Sequence, residues 1–133
     1  VFGCQYRGPE DHAPPLLGFH RRGEKPVIVP APTGTQTALK NYIGSVSADF
    51  SGGIVAASAP KGGLITYWDV GARRFLGSCE LNDGCGIAPT RHKASFLLTS
   101  GQGWLVETDV ADAPDEDRRT SPYEWDNHAI LVR

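Results

Sequence analysis

Two copies of one short pattern lie 40 residues apart, and that spacing limits the chain to a repeating β architecture. The first copy is Leu64-Ile65-Thr66-Tyr67-Trp68-Asp69-Val70. The second is Trp104-Leu105-Val106-Glu107-Thr108-Asp109-Val110. Each follows a Gly-rich hairpin signal, Lys61-Gly62-Gly63 in one and Gly101-Gln102-Gly103 in the other. Before each hairpin runs another apolar strand, Ile54–Ser58 and Phe96–Ser100. A period of about 40–45 residues built from short strands marks a β-propeller blade. Such a blade cannot bury its faces alone, so it must stack on neighbours. The expected fold is therefore all-β: a β-propeller fragment of about three four-stranded antiparallel blades plus a closing strand.

A second period supports this division. Gly44, Gly86 and His128 are 42 residues apart, twice over. Each opens a unit, in Tyr42-Ile43-Gly44-Ser45-Val46, Gly84-Cys85-Gly86-Ile87-Ala88 and Asp126-Asn127-His128-Ala129-Ile130. The first strand of a propeller blade lines the central channel, where small residues suit the crowding. The expected units span about 1–32, 42–82 and 83–120, with a terminal strand at 125–132, all within one domain. The first unit offers three strands (1–6, 16–21 and 26–29), and the missing one is expected to come first. Thr33–Lys40 reads as a polar connector, with room for one helical turn at 36–41. The acidic run Asp112–Asp117 reads as an exposed hairpin. It lacks the glycine and ligand spacing of a calcium loop.

Composition removes several classes of function. The net charge is −2 and the basic residues are scattered, so nucleic acid and anionic membranes are poor partners. No apolar run approaches the ~20 residues needed to cross a bilayer. Three cysteines, Cys4, Cys79 and Cys85, make no disulfide framework and no zinc spacing. Cys4 and Cys79 sit in strand patterns and read as small core residues. His12, His20 and His92 fall in loops or hairpins and read as solvated. No P-loop, G-x-S-x-G elbow or H-E-x-x-H motif is present. The chain has no Met and opens directly in a strand, which leads us to expect a piece of a longer protein.

Several segments resemble the DUF1513 family: Val1–Tyr6, Gly18–Gly23, Tyr42–Val46, Asp83–Pro89, Phe96–Gly101 and Trp125–His128. The resemblance covers nearly the whole chain and keeps the segment order. It corresponds to the C-terminal third or so of a family member. Its members are bacterial proteins of unknown function, often exported through a twin-arginine signal. The resemblance thus implies a periplasmic location and a single propeller, of about seven blades within the usual 4–8. It also implies partners among iron-uptake or haem-containing redox proteins. No cofactor is specified.

The candidate binding residues are Tyr42, Ser45, Asp83, Cys85, Asp126, Asn127 and His128, all at unit openings. His128 reads either as a ligand or metal contact at the channel mouth or as a structural histidine bonding a neighbouring blade. Metal binding would need further donors. Cys85 is either a reactive thiol or a packing residue between blades. Tyr42 and Ser45 line the same pocket, or Tyr42 packs between blades. The leading function is a binding or scaffold module. A hydrolase or oxidoreductase with a channel metal on His128 is the alternative. Trp68-Asp69 admits a WD40-like intracellular scaffold as a third, weakened by Thr108-Asp109 in the second copy.

Overall fold

The computed structural model describes residues 1–110 and 117–132. Three antiparallel sheets follow one another along the chain. The first contains β1 (Phe2–Gly3), β2 (Leu17–Phe19) and β3 (Val27–Val29), in that order. A short helix, α1 (Thr33–Ala38), leads to the second sheet. There β4 (Ser45–Ala48), β5 (Ile54–Ala59), β6 (Leu64–Asp69) and β7 (Arg74–Glu80) form one meander. The third sheet is a second meander of β8 (Gly84–Pro89), β9 (Ser95–Ser100), β10 (Trp104–Asp109) and β11 (Asp117–Thr120). β1 lies against β4, and β4 against β8, so the opening strands of the three sheets are neighbours. This is the arrangement expected of three successive blades. The acidic run at 112–116 lies outside the described residues, apart from Asp117 at the start of β11.

Alternation along β5 and β6 explains how the sheets stack. Successive side chains of a strand point to opposite faces. Val55, Ala57 and Trp68 face the first sheet, in one core with Leu17, Phe19 and Val29. Ala56, Ile65 and Tyr67 face the third, in a second core with Ile87, Phe96, Leu98 and Val106. The middle sheet is thus buried on both sides, and β5 is almost wholly inaccessible. Trp68 meets Phe75 edge-on, with ring centroids 5.3 Å apart. Its indole N–H donates to Thr66 Oγ1 at 3.0 Å, and the Thr66 hydroxyl donates to the Ala57 carbonyl. A buried indole carries a polar N–H that must be partnered. Here a threonine two residues away on the same strand supplies the acceptor.

Two polar stitches join the second and third sheets. At one end the Ser58 hydroxyl donates to the Cys85 carbonyl at 3.1 Å and accepts the Ser45 N–H at 2.9 Å. At the other end stands Asp49, in the β4–β5 turn and only 4% exposed. Its carboxylate accepts the Ile54 N–H at 2.9 Å, the Ser51 hydroxyl at 2.7 Å, and the Ala94 N–H of the next sheet's hairpin at 2.9 Å. Burial pushes the Asp49 pKa up. The hydrogen bonds from Ala94, Ile54 and Ser51 outweigh it and hold the carboxyl at about 2, below its ordinary 3.8.

Several expectations need correction. The missing strand of the first unit is not its first. β1 takes the inner position beside β4, and the unpaired side belongs to β3, where Val27 and Ile28 are exposed. The helical turn comes earlier than 36–41: Pro32 precedes it, and Lys40 and Asn41 end it with positive φ. Gln36 of α1 is buried, donating to the Pro14 carbonyl and accepting the Ala31 N–H. Cys4 is exposed rather than in a core. The terminal segment 125–132 forms no strand. His128 has φ of +73 and breaks the extended run, and the segment lies over β8 with Ala129 against Gly86.

Asp49 yields a prediction with a definite sign. A carboxyl whose folded pKa is depressed stabilises the protein above its unfolded pKa. That stability should be complete above about pH 4 and lost as pH falls through about 2. The shift corresponds to about 2 kcal/mol. Asp49→Asn should lower stability at pH 7 by about that amount and flatten the stability profile between pH 4 and 2. Urea titrations at several pH values would measure both effects, and an unchanged midpoint in the variant would contradict the assignment.

Candidate functional site

A cavity of about 480 Å³ opens between the second unit, the third unit and the terminal segment. Its walls are Tyr42 and Pro60 from the second unit, Asp83, Cys85 and Gly101 from the third, and Glu124, Trp125, Asp126 and Asn127 from the terminal segment. Local structure explains each placement. Tyr42 sits just before β4, held by an isolated antiparallel bridge to Gln5. Asp83 occupies the turn into β8 with φ of +52, a conformation Asp tolerates better than most residues. Its carbonyl accepts the Gly101 N–H at 3.0 Å and the Cys85 thiol at 2.9 Å. A Cβ on Gly101 would lie 2.1 Å from Asp83 Oδ2. Only glycine lets the carboxylate rest there. The backbone N–H of Trp125 donates to the Ser100 carbonyl at 3.4 Å and fixes the terminal segment at the wall.

The electrostatic character is acidic. Three carboxylates, Asp83, Glu124 and Asp126, line the cavity, and among the described residues no basic side chain does. The Lys61 ammonium lies 5.1 Å from the centroid of the Tyr42 ring, one of the walls. Burial pushes the Cys85 thiol pKa up. The Gly101 N–H offsets part of this, and the negative charges of Asp83 and Asp126 push it further. Cys85 therefore stays a neutral thiol at physiological pH, the opposite of an activated nucleophile.

Five of the seven candidate residues meet in this cavity: Tyr42, Asp83, Cys85, Asp126 and Asn127. Ser45 and His128 do not line it. They face each other instead, with Ser45 Oγ 3.5 Å from His128 Nδ1. His128 itself is exposed. Gly44 and Gly86 belong to neighbouring inner segments, but His128 sits in irregular backbone rather than on a third inner strand. Among the described residues, no three His, Cys, Asp or Glu side chains gather to hold a metal. Sequence reasoning missed Pro60, Gly101, Glu124 and Trp125 as lining residues. Trp125 was within reach, since it stands 42 residues after Asp83. Glu124 could have been found the same way, one position earlier. Pro60 and Gly101 belong to the two hairpins that the 40-residue repeat pairs, but that repeat alone does not turn them toward the unit openings.

The sequence model of the family described as "Protein of unknown function (DUF1513)" matches residues 1–132. The chain belongs to the DUF1513 family. Among solved structures, this DUF1513 member is similar to the β-propeller domain of Cps50 (Swd1) from Myceliophteria thermophila, with a TM-score of 0.57 and 13% identity. It is also similar to Hsv2 from Kluyvelomyces marxianus, with a TM-score of 0.50 and 12% identity. The first match covers 67% of this chain and 28% of that one; the second covers 64% and 27%. At this identity the likeness is one of fold alone. The chain spans little more than a quarter of either structure's length. A comparison with curated proteins finds no match.

The raised Cys85 pKa can be tested by alkylation. At pH 8, iodoacetamide should modify the exposed Cys4 well before Cys85, by peptide mass mapping. Asp83→Asn removes one of the charges that raise the thiol pKa, and Asn tolerates the left-handed backbone. The variant should alkylate faster at Cys85, with its rate–pH midpoint moved down. Equal midpoints would show that Asp83 does not act on the thiol.

Proposed function

We propose that this protein is a binding or scaffold module whose ligand seat is the cavity at the unit openings. The observation that carries this reading is the origin of the walls. Tyr42 and Asp126 stand at one position of the 42-residue repeat, Cys85 and Asn127 at the next, and Asp83 and Trp125 at the one before. A repeat fold that turns the same position of each unit toward one space builds a concave, polar-lined pocket there. That is the usual form of a ligand site. The chemistry argues for holding rather than transforming. The thiol is held neutral, and among the described residues no basic group lines the cavity to activate it.

The proposed setting is the periplasm, beside iron-uptake or haem-containing redox proteins. Its support is the family resemblance read in the sequence. A second reading, a propeller enzyme with a channel metal on His128, is favoured by one observation, the approach of His128 Nδ1 to Ser45 Oγ at 3.5 Å. An intracellular WD40-like scaffold is the third, supported by Trp68-Asp69 closing β6.

Metal content separates the first two readings. Protein purified from iron- and zinc-supplemented cells should carry no stoichiometric metal by plasma mass spectrometry. Its thermal midpoint should not respond to a chelator. One equivalent of metal, lost in His128→Ala, would replace the binding reading with the enzyme reading. Fractionation of cells that produce the protein naturally should recover it with periplasmic markers; recovery with cytoplasmic ones would favour the intracellular scaffold.

A further inference from the structure

We infer that the end of the molecule opposite the cavity docks on the surface of an anionic lipid bilayer. The inference is independent of the ligand-seat reading, because it uses the other ends of the same strands. β5 finishes beside the cavity at Pro60, and β8 starts beside it at Asp83. The turn before β5 and the hairpin after β8 therefore lie a strand's length away, about 20 Å.

The first observation is a charge cluster that the sequence hides. Along the chain the basic residues are scattered, but the hairpins collect many of them at this end. Arg21 and Arg22 stand in the β2–β3 hairpin, and Arg91 and Lys93 in the β8–β9 hairpin. Arg73 and Arg74 stand where the β6–β7 turn enters β7. Contacts join these loops into one surface. Arg73 bonds Glu24 of the first hairpin at 2.9 Å. His20, Arg21, Gly52 and Arg73 border one small pocket. The Ala94 N–H of the third hairpin bonds Asp49 in the β4–β5 turn. Arg21, Arg22, Arg74, Arg91 and Lys93 are exposed, and among the described residues none of the five forms an ion pair. The carboxylates of these loops are occupied. Glu24 is paired with Arg73, Asp69 accepts the Ala72 N–H at 2.8 Å, and Asp49 is buried. Asp109 and Asp117, beside His92, bound the patch on the side of the third sheet. Each cation brought to an anionic bilayer strengthens binding by roughly five-fold.

The second observation is an apolar tip inside the cationic patch. Phe50, in the β4–β5 turn, is 59% exposed. The turn that carries it is fixed, since the Asp49 carboxylate takes the Ser51 hydroxyl and the Ile54 N–H. Phe50 borders one groove with Arg91, Leu131 and Val132, and both aliphatic residues are also exposed. Aromatic side chains favour the boundary between headgroups and acyl chains, and cations beside them meet the lipid phosphates. A soluble polyanion would use the cations alone and leave Phe50 in water, so the pairing of tip and charge selects the bilayer. Docked this way, the molecule holds its cavity away from the membrane, open to the aqueous side.

Sedimentation of the full chain with sucrose-loaded vesicles tests this. Phosphatidylcholine vesicles containing about one-third phosphatidylglycerol should bind it about ten-fold or more tightly than phosphatidylcholine alone. Raising the salt from about 0.05 M to about 0.5 M should release it. Arg22→Gln with Lys93→Gln should weaken vesicle binding by about ten-fold or more. Phe50→Trp should add emission that bromine-labelled acyl chains quench. Phe50→Ser should weaken vesicle binding several-fold and leave binding to soluble polyglutamate unchanged. Equal sedimentation with the two vesicle types, or none with either, would overturn the inference. So would polyglutamate displacing the vesicles while Phe50→Ser binds them as tightly as the unaltered protein, which is the result expected of a soluble acidic partner. The vesicle comparison on the unaltered protein decides the matter even where a variant fails to fold, and none of these outcomes bears on the ligand-seat reading.

Discussion

Ala56, Ala57, Ser58 and Ala59 set how closely three sheets can lie side by side. These side chains on β5 are essentially inaccessible, and none is larger than a hydroxymethyl group. Larger aromatic and branched residues on either side, Trp68 toward the first sheet and Tyr67 toward the third, fill the space that the small ones leave. Protein interiors pack at nearly crystalline density, so a methylene added here has nowhere to go. The close approach has a polar counterpart. Ser58 and Asp49 each bond within their own sheet and to the next one, at opposite ends of the contact. The position of β8 relative to β4, and hence the shape of the cavity above them, depends on this spacing.

Much of this fold was legible in the sequence because the signals were local and repeated. The strands of the second unit are short apolar runs between strong turns, and β5, β6 and β7 fall close to where those runs put them. A continuous apolar run of this length bounded by turn signals is the mark of a strand buried on both faces. This signal failed where the partner was distant in sequence. The strand expected at 42–48 begins only at Ser45, because residues 41–43 instead bond to Cys4 and Tyr6 across the long loop 7–15. Cys4 alternates as a core residue would, yet its side chain is exposed. The tail Ala129-Ile130-Leu131-Val132 has the composition of a strand, but a strand needs a ladder, and composition cannot supply one.

The candidate site was legible to a similar degree and for the same reason. Repeat spacing located Tyr42, Asp83, Cys85, Asp126 and Asn127 at unit openings, and the structure brings those five to one cavity. Their chemistry was not legible. That Asp83 rests on Gly101, or that Asp126 helps burial and the adjacent Asp83 keep Cys85 a neutral thiol, depends on contacts across 18 and 41 residues of chain. No local pattern encodes them. His128 drew attention by residue type and spacing, yet the left-handed backbone at that position turns it out of the cavity lining and toward Ser45.

The opposite facing of Tyr67 and Trp68 has a consequence for how such a chain can change over time. These adjacent residues serve two different cores, one on each side of the middle sheet. Inserting or deleting a single residue upstream in β6 would exchange their sides, sending the indole into the space shaped for the phenol and the phenol into the other. Both cores would fail at once. Length variation is therefore confined to forms that leave the parity of β6 intact: changes within the hairpins, the gain or loss of a whole repeat, or a bulge such as the one β7 carries opposite Tyr67 and Trp68, where Leu76 is the extra residue.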